Sequence, residues 1–176
     1  MIFKETALQD AYVVDIDPVE DSRGFFARTW CRREFQVLGL NPEAVQCNLS
    51  FNHIRGTIRG MHYQAAPHSE IKLVKCLRGA IYDVIIDLRP KSPSFRAWLG
   101  IELNENNRRM LYVPEGFAHG YQTIEDNSEV FYLVSNFYHP ESERGIRWND
   151  PAFKIEWPLK ASLVSPKDSS HPDYRI

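Results

Sequence analysis

The chain has 176 residues, of which 43% are hydrophobic and 25% charged, and its formal net charge is −2. This length and balance predict one domain, residues 1–176, and exclude collagen-like, coiled-coil and largely disordered chains. A charge near zero lacks the basic excess that is typical of nucleic-acid-binding proteins, so we expect no nucleic-acid partner.

The compartment is indicated by the cysteines and by the distribution of apolar residues. Cys31, Cys47 and Cys76 are an odd set without CxxC spacing, which favours a reducing compartment over a disulfide scaffold or a zinc site. The first ten residues carry a lysine and two acids where a signal peptide needs an apolar run. No stretch reaches the roughly 18 uninterrupted apolar residues of a membrane span. We therefore expect a cytoplasmic protein with no membrane partner.

The first regular elements differ in their periodicity. The segment CRREFQVLG, residues 31–39, predicts a short helix that ends at Gly39. Residues 71–76 (IKLVKC) predict a strand, and the following LRG predicts a tight hairpin. The segment AIYDVIIDL, residues 80–88, alternates with a period of two and predicts the second strand of that hairpin.

Further strands are predicted along the second half of the chain. Their sequences are AWLGIEL, MLYV, GYQTI and VFYLVSNFY. Eleven prolines and nine glycines separate many short apolar runs, and helical periodicity is scarce. The pattern predicts a β-sandwich or a jelly-roll barrel. The tail after Trp157 is expected to be irregular, with residues 165–168 packed against the body.

The strand IRGMHYQ, residues 58–64, carries two residues that folding alone does not require. On an ideal strand Gly60, His62 and Gln64 share one face, and Arg59 lies on the other. A bend at Gly60 would let Arg59 and His62 reach one cavity. The alternative is a histidine that only forms a structural hydrogen bond.

Two further polar residues share strand faces with apolar neighbours. Lys72 lies on the face of Val74, and Tyr132 on the face of Val134, so both are expected to point inward. Buried lysine is rare unless it is paired or functional, and a lysine with a histidine base suits chemistry next to a carbonyl. The alternatives are that Lys72 reaches the surface and that Tyr132 is a core residue.

The segment VPEGFAHGY, residues 113–121, resembles the second sequence motif of the cupins, which are small jelly-roll barrels. Metal-binding cupins supply H-x-H and a later glutamate from their first motif, but here that place is His62-Tyr63-Gln64. Glu70 and His119 remain, and this set is too small for a convincing metal site. We predict an all-β, cupin-like jelly-roll barrel with a few short helices, no bound metal and no cofactor.

Seven segments occur in an order that resembles the dTDP-4-dehydrorhamnose 3,5-epimerase family, a metal-independent branch of the cupins. They extend from about residue 21 to residue 168: DSRGFFARTW, IRGMHYQ, KLVKCLRGAIYDVIIDLRP, SPSFRAWLGIEL, VPEGFAHGYQT, ERGIRWNDPAFKIEWP and SPKD. The resemblance implies an isomerase that epimerises a nucleotide-linked 4-keto-6-deoxyhexose at C3 and C5, a step of deoxysugar synthesis for polysaccharides.

The resemblance also implies four catalytic roles. His62 is the base that removes a proton next to the keto group, and Asp168 fixes its tautomer. Lys72 lies beside the C4 oxygen, where a positive charge stabilises the enolate. Tyr132 returns a proton from the opposite face of the sugar.

Substrate-binding roles follow from the same resemblance. Arg23, Arg59 and His119 match positions that hold the diphosphate. The remaining matches are sugar or nucleotide contacts: Gln46, Asn48, Tyr138, Glu143 and Lys167. Arg28 stands where members with the dTDP preference typically have a glutamate near the nucleotide, and Ser69-Glu70 stands where a glutamine–glycine pair is common. The reaction class is therefore better defined than the nucleotide.

Three alternatives remain open on the sequence. One is an epimerase that inverts C3 alone, the second a metal-dependent cupin enzyme, and the third a sugar-nucleotide-binding protein without catalysis. The resemblance further implies a homodimer, in which the apolar residues Phe25, Phe26 and Trp30 cover an exposed sheet edge of the partner.

Overall fold

Two six-stranded sheets face each other in the computed structural model, which describes residues 1–175. The strands are β1 (Ile2–Glu5), β2 (Tyr12–Asp15), β3 (Val19–Asp21), β4 (Gly24–Phe26), β5 (Gln46–Asn52), β6 (Thr57–Gln64), β7 (Lys72–Arg78), β8 (Ala80–Asp87), β9 (Trp98–Asn104), β10 (Met110–Val113), β11 (Phe117–Thr123), β12 (Ser128–Val134), β13 (Glu143–Gly145) and β14 (Leu163–Val164). The helices are α1 (Arg32–Val37), α2 (Pro166–Ser169) and a 3₁₀ turn, Pro140–Ser142.

The first sheet has the order β1-β2-β10-β7-β12-β5, and the second has the order β13-β6-β11-β8-β9, with β14 parallel to β6. A separate hairpin joins β3 to β4. The strand content and the two facing sheets confirm the predicted all-β, cupin-like jelly-roll fold with a few short helices. Residues 1–175 include no helix that is long and apolar enough to cross a membrane.

The alternation of β8 explains how the two sheets are held. Ile81 and Ile85 point between the sheets, where they pack with Val74 and Leu111 of the first sheet. Val84 and Ile86 point the other way and pack under the C-terminal segment, with Phe153 among their partners. Because both faces of β8 are covered, the strand is apolar on both, apart from its two aspartates.

The hairpin predicted at Leu77–Gly79 is wrong. β7 pairs with β10 and β12, whereas β8 pairs with β9 and β11, so the two strands lie in different sheets. The chain turns sharply at Gly79, whose φ of +70° suits glycine, and crosses from one sheet to the other. Each strand obtains its partners from distant parts of the chain.

Two other predictions concern element ends. The helix at residues 31–39 is confirmed, with α1 beginning after Cys31 and Gly39 following its last turn at φ +69°. The strand predicted at residues 130–138 instead ends at Val134. Residues 135–139 form bends and irregular structure, so Tyr138 lies in a loop and not on a strand.

Candidate active site

Two adjoining cavities lie between the sheets, one of about 330 Å³ and one of about 450 Å³. They share Asn48, His62, Lys72 and Tyr132, and so form one continuous site. The four catalytic residues predicted from the sequence are brought together here, three of them in the walls of both cavities and Asp168 directly behind His62.

A β-bulge in β6 places Arg59 and His62 on one face. His62 lies opposite His119 of β11, and Arg59 lies opposite Tyr121, so two residues of β6 face the single Gly120. The ideal-strand assignment of Arg59 to the opposite face from His62 is therefore wrong, and the bend at Gly60 is the reason. Gly60 has a φ of +118°.

His62 and Asp168 form a close pair. The His62 Nε2 lies 2.7 Å from Oδ1 of Asp168, and the Gly60 N–H donates to the other carboxylate oxygen at 3.1 Å. Burial acts to raise the pKa of Asp168, but the hydrogen bond and charge of His62, together with hydrogen bonds from Gly60 and Ser165, outweigh it, so the pKa lies below its usual value. The carboxylate therefore stays ionised and favours the His62 tautomer with a proton on Nε2, which leaves Nδ1 as the basic nitrogen.

The tail sequence SPKD explains how Asp168 reaches β6. Ser165 caps the short helix α2 by accepting the Asp168 N–H at 3.0 Å, and Pro166 occupies the first helical turn. Immediately before the helix, β14 pairs with β6. The prediction that residues 165–168 pack against the body is confirmed, since Asp168 is buried.

Lys72 and Tyr132 point into the site from neighbouring strands. Tyr132 pairs with Val74 and Val134 pairs with Lys72, so all four side chains share the inner face. The Lys72 Nζ lies 3.3 Å from a carboxylate oxygen of Glu70. Burial raises the pKa of Tyr132 and the nearby Glu70 charge raises it further, against an opposing effect of Arg59. The Tyr132 hydroxyl is thus protonated at neutral pH and can act as an acid.

The predicted sugar and nucleotide contacts lie around the smaller cavity. Gln46 and Asn48 project from β5, and the Gln46 side chain donates to that of Asn48 at 3.0 Å. Glu143 accepts from the Tyr138 hydroxyl at 2.8 Å and from the Lys167 ammonium at 2.6 Å. Four of the five predicted contacts thus line this cavity, Tyr138 from a loop, while Lys167 is connected to it through Glu143, and their substrate-binding roles stay predictions.

The predicted diphosphate contacts divide into two groups. Arg59 and His119 line the larger cavity, where the Arg59 Nε donates to Asn52 at 2.7 Å and the His119 Nε2 lies 2.7 Å from Asp83. Arg23 lies outside both cavities, in the β3–β4 hairpin, where its exposed guanidinium pairs with Asp21.

Arg28 is also outside the cavities. Its guanidinium donates to Glu34 at 2.7 Å on the surface near α1. The structure of one chain therefore does not bring Arg23 and Arg28 to the site, and their substrate-binding roles stay predictions.

Sequence reasoning missed three residues of this site. Asp83 is fully buried, and its Oδ2 has no hydrogen-bond partner among the described residues. An aspartate on the inner face of an apolar strand was a usable signal. His171 lies behind the dyad with its Nε2 3.9 Å from Asp168, and nothing in the sequence indicated it. Glu70 was considered as a weak metal ligand and as a departure from the family pattern, but not as the partner of Lys72.

Possible metal ligands gather elsewhere than the cupin motif predicts. Within residues 1–175, ligand-type atoms lie within 4.8 Å of one another in two groups: His62 with Asp168 and His171, and His68 with His139 and Glu141. The set formed by His62, Glu70 and His119 is not such a group. His119 is engaged with Asp83, and Glu70 with Lys72.

The chain is similar to known sugar-nucleotide epimerases over nearly its whole length. The sequence model of the dTDP-4-dehydrorhamnose 3,5-epimerase family matches residues 5–175. The dTDP-4-dehydrorhamnose 3,5-epimerase of Shigella flexneri is 40% identical over 165 residues, which cover 93% of this chain and 91% of that protein.

A solved structure and a second relative add detail. The dTDP-4-dehydrorhamnose 3,5-epimerase of Bacillus anthracis strain Ames, solved with TDP and PPi bound, superposes with a TM-score of 0.94 at 39% identity and covers 98% of this chain and 99% of that one. The dTDP-4-dehydrorhamnose 3-epimerase of Streptomyces niveus is 34% identical over 169 residues, which cover 96% of this chain and 81% of that protein.

Proposed function

This chain belongs to the dTDP-4-dehydrorhamnose 3,5-epimerase family, and we propose that it inverts C3 and C5 of a nucleotide-linked 4-keto-6-deoxyhexose through an enolate. The reaction is of the type that converts dTDP-4-dehydro-6-deoxy-D-glucose to dTDP-4-dehydro-L-rhamnose. The observation that carries the proposal is the convergence of the His62–Asp168 pair, Lys72 and Tyr132 on one cavity.

The chemistry follows from the positions of these groups. The C4 keto group acidifies the hydrogens at C3 and C5, and His62 removes one of them. The electron pair moves onto the C4 oxygen, where the Lys72 ammonium stabilises the negative charge. Tyr132 then donates a proton to the carbon from the opposite face, which inverts the centre. His62 returns its proton to solvent and Tyr132 is reprotonated, so the enzyme is regenerated without a redox step.

The two cavities suit the two ends of such a substrate. Arg59 and His119 in the larger cavity would hold the diphosphate, since a guanidinium pairs bidentately with phosphate oxygens. Gln46, Asn48 and Glu143 in the smaller cavity would contact the sugar. In this arrangement the diphosphate would occupy the larger cavity and the sugar the smaller one, with His62 in the walls of both.

The test is incubation with a small panel of nucleotide-linked 4-keto-6-deoxyhexoses in D₂O, followed by NMR. Deuterium incorporation and inversion at both C3 and C5 are expected. Inversion at C3 alone would favour the alternative of a 3-epimerase, the activity for which the Streptomyces niveus relative is named. The panel also identifies the preferred nucleotide, which the sequence does not define because Arg28 replaces the family glutamate.

A second experiment tests the metal requirement. Exhaustive chelation should leave the activity unchanged, and stoichiometric iron, zinc or manganese in active enzyme would favour a metal-dependent cupin.

We also propose that the enzyme is a cytoplasmic homodimer. β5 is an edge strand of the first sheet and exposes Leu49 and Phe51 beside the larger cavity. The β3–β4 hairpin exposes Phe25 and Phe26. Docking of a partner's hairpin on this edge would cover both apolar surfaces and bring the hairpin arginine towards the cavity. The free state of all three cysteines supports the compartment.

Sedimentation at micromolar concentration tests the dimer, and a monomer would contradict it. Subunit complementation tests the shared site. Arg23→Ala and His62→Asn should each impair the enzyme, while a mixture allowed to exchange subunits should regain activity, because a mixed dimer has one site with both residues intact. No recovery in a mixture that is shown to contain mixed dimers would place Arg23 outside the partner's site.

A further inference from the structure

Glu70 is a largely buried acid in the wall of the smaller cavity, outside the set of residues that the reaction scheme uses. Its side chain is 11% exposed. One carboxylate oxygen lies 3.3 Å from the Lys72 Nζ, and the other accepts the Gln64 Nε2–H at 3.2 Å. The carboxylate therefore connects a residue of the chemical step to a fixed amide of β6.

The orientation of the Gln64 amide is determined by its other partners. Its oxygen accepts the His139 N–H at 2.6 Å, and its nitrogen donates to the carbonyl oxygens of His68 and Phe137, each at 3.1 Å. The nitrogen, not the oxygen, must therefore face Glu70. Strand β6, the loop that follows it and the loop between β12 and β13 thus anchor one side of the Glu70 carboxylate, which leaves the other side for Lys72.

We propose that Glu70 is a positioning residue for Lys72, which holds the ammonium group at the C4 oxygen of the sugar. The proposal rests on the proposed function, because it assigns Glu70 a part in the same enolate chemistry. A lysine side chain has several freely rotating bonds, and a single anchored carboxylate restricts where its ammonium can lie. A neighbouring carboxylate also offsets the cost of removing that ammonium from water.

The electrostatics of the cavity agree with this role. The titratable side chains that line it with Glu70 are those of His62, Tyr63, Lys72, Tyr132, Tyr138 and Glu143. Glu143 is already paired with Lys167, so Lys72 is the cation available to Glu70 in this wall. Lys72 thus balances the charge of Glu70, as Lys167 balances that of Glu143, which suits a neutral sugar ring, while Arg59 lies in the larger cavity.

A double-mutant cycle tests whether Glu70 acts through Lys72. Glu70→Gln keeps an acceptor and removes the charge, and Lys72→Met removes the ammonium. We expect Glu70→Gln to slow deuterium exchange at C3 about fivefold with Lys72 present, and less than about twofold in the Lys72→Met background. The Tm should fall more in Lys72→Met than in the double variant, because the single variant leaves Glu70 without its cation.

The controls separate this inference from the proposed function. Glu125→Gln changes an exposed glutamate in the loop before β12 and should match the wild type. A wild-type enzyme without exchange at C3 and C5 would contradict the proposed function. An active wild type with equal losses in both backgrounds, or with no loss in Glu70→Gln, would overturn the role of Glu70 alone. If the double variant does not fold, Glu70→Gln decides: slower exchange at an unchanged Tm supports the role, and an unchanged rate overturns it.

Discussion

Arg59 and His62 lie on the same face of β6, although residues three positions apart point to opposite faces of a regular strand. The bulge opposite Gly120 produces this arrangement and places Arg59 in the wall of the larger cavity and His62 in the walls of both. In the proposed function, one strand would thereby supply a cation for the diphosphate and a base for the sugar. The geometry of the bulge is therefore a requirement of the site.

Gly60→Ala should disrupt this bulge. A Cβ at position 60 would lie 2.6 Å from the Gly120 Cα and 2.8 Å from the His119 carbonyl oxygen, and the backbone φ of +118° is unfavourable for alanine. Because both contacts are to backbone atoms, we expect the free energy of unfolding to fall by more than about 2 kcal/mol and the epimerase activity to be lost. Urea denaturation and the exchange assay measure the two effects.

Gly39→Ala is the matched control, since Gly39 also has a positive φ, +69°, but a Cβ there would meet nothing within 4 Å. We expect Gly39→Ala to lower the free energy of unfolding by about 1 kcal/mol and to leave the activity unchanged. Equal destabilisation by the two substitutions would mean that the close approach of β6 and β11 does not constrain Gly60.

Arg59→Ala and His62→Ala should give different kinetic signatures. Arg59 would contact the diphosphate in the ground state and the transition state alike, so its loss should raise KM with little change in kcat. In the proposed mechanism His62 would act only where a proton moves, so its loss should lower kcat about 10²–10⁴-fold. Steady-state kinetics on the preferred nucleotide sugar separate the two. Arg33→Ala, which removes an exposed arginine of α1, is the control and should match the wild type. Identical kinetic signatures for the Arg59 and His62 variants would contradict this division of roles.

Asp168→Asn should harm the chemical step more than the fold. An asparagine oxygen can still accept the Gly60 N–H, but its amide can also donate to the His62 ring and favour the wrong tautomer. We expect kcat to fall about 10²–10⁴-fold with a Tm close to that of the wild type. Thermal unfolding and single-turnover exchange provide the two measurements, and a wild-type kcat would remove Asp168 from the mechanism.

Asp87 should control part of the acid sensitivity of folding. Burial acts to raise its pKa, but the hydrogen bonds from Arg89, Ser92 and Ser94 outweigh it, so the folded pKa lies below the usual 3.8. The stabilisation is complete above that usual value and is lost as the pH falls through the folded pKa.

Asp87→Asn tests this dependence. The variant should lose about 3 kcal/mol of unfolding free energy at pH 7, because Arg89 keeps only its contact with Asp10 as an ion pair. Between pH 5 and pH 2, its unfolding free energy should fall less steeply than that of the wild type. Urea unfolding across this range checks both, and parallel slopes would contradict the assignment to Asp87.

The sequence was informative where a feature depends on local pattern. The period of two in residues 80–88 identified β8 and both of its faces, and the helix around Phe35 followed from spacing and a terminal glycine. The inward direction of Lys72 and Tyr132 followed from the same alternation. These predictions succeeded because side-chain direction on a strand is a local property.

Other features depend on contacts between distant parts of the chain. Leu77–Gly79 has the composition of a hairpin turn. However, β7 pairs with β10 and β12, and β8 pairs with β9 and β11, so the two strands lie in different sheets and form no hairpin. The role proposed for Glu70 depends on Gln64, whose amide oxygen accepts the N–H of His139, 75 positions away. No periodicity in a single sequence encodes such contacts.

The last prediction separates the two faces of the sugar. Tyr132→Phe keeps the ring and removes only the hydroxyl, so His62 can still take a proton and return one to the same face. We expect this variant to incorporate deuterium but not to invert C3, since nothing donates from the opposite face. His62→Asn should lose both exchange and inversion. Lys72→Met should weaken both, because the enolate loses its cation, and should alter their ratio less.

Deuterium uptake measured against epimer formation by NMR distinguishes the three variants. The buried position of Tyr132 and its raised pKa support its role as the acid, since the hydroxyl keeps its proton at neutral pH. Tyr138→Phe is the control, because the Tyr138 hydroxyl donates to Glu143 at 2.8 Å and its side chain is half exposed. It should still invert C3. Inversion at the wild-type rate by Tyr132→Phe would instead exclude Tyr132 as the acid and make Tyr138 the next residue to test.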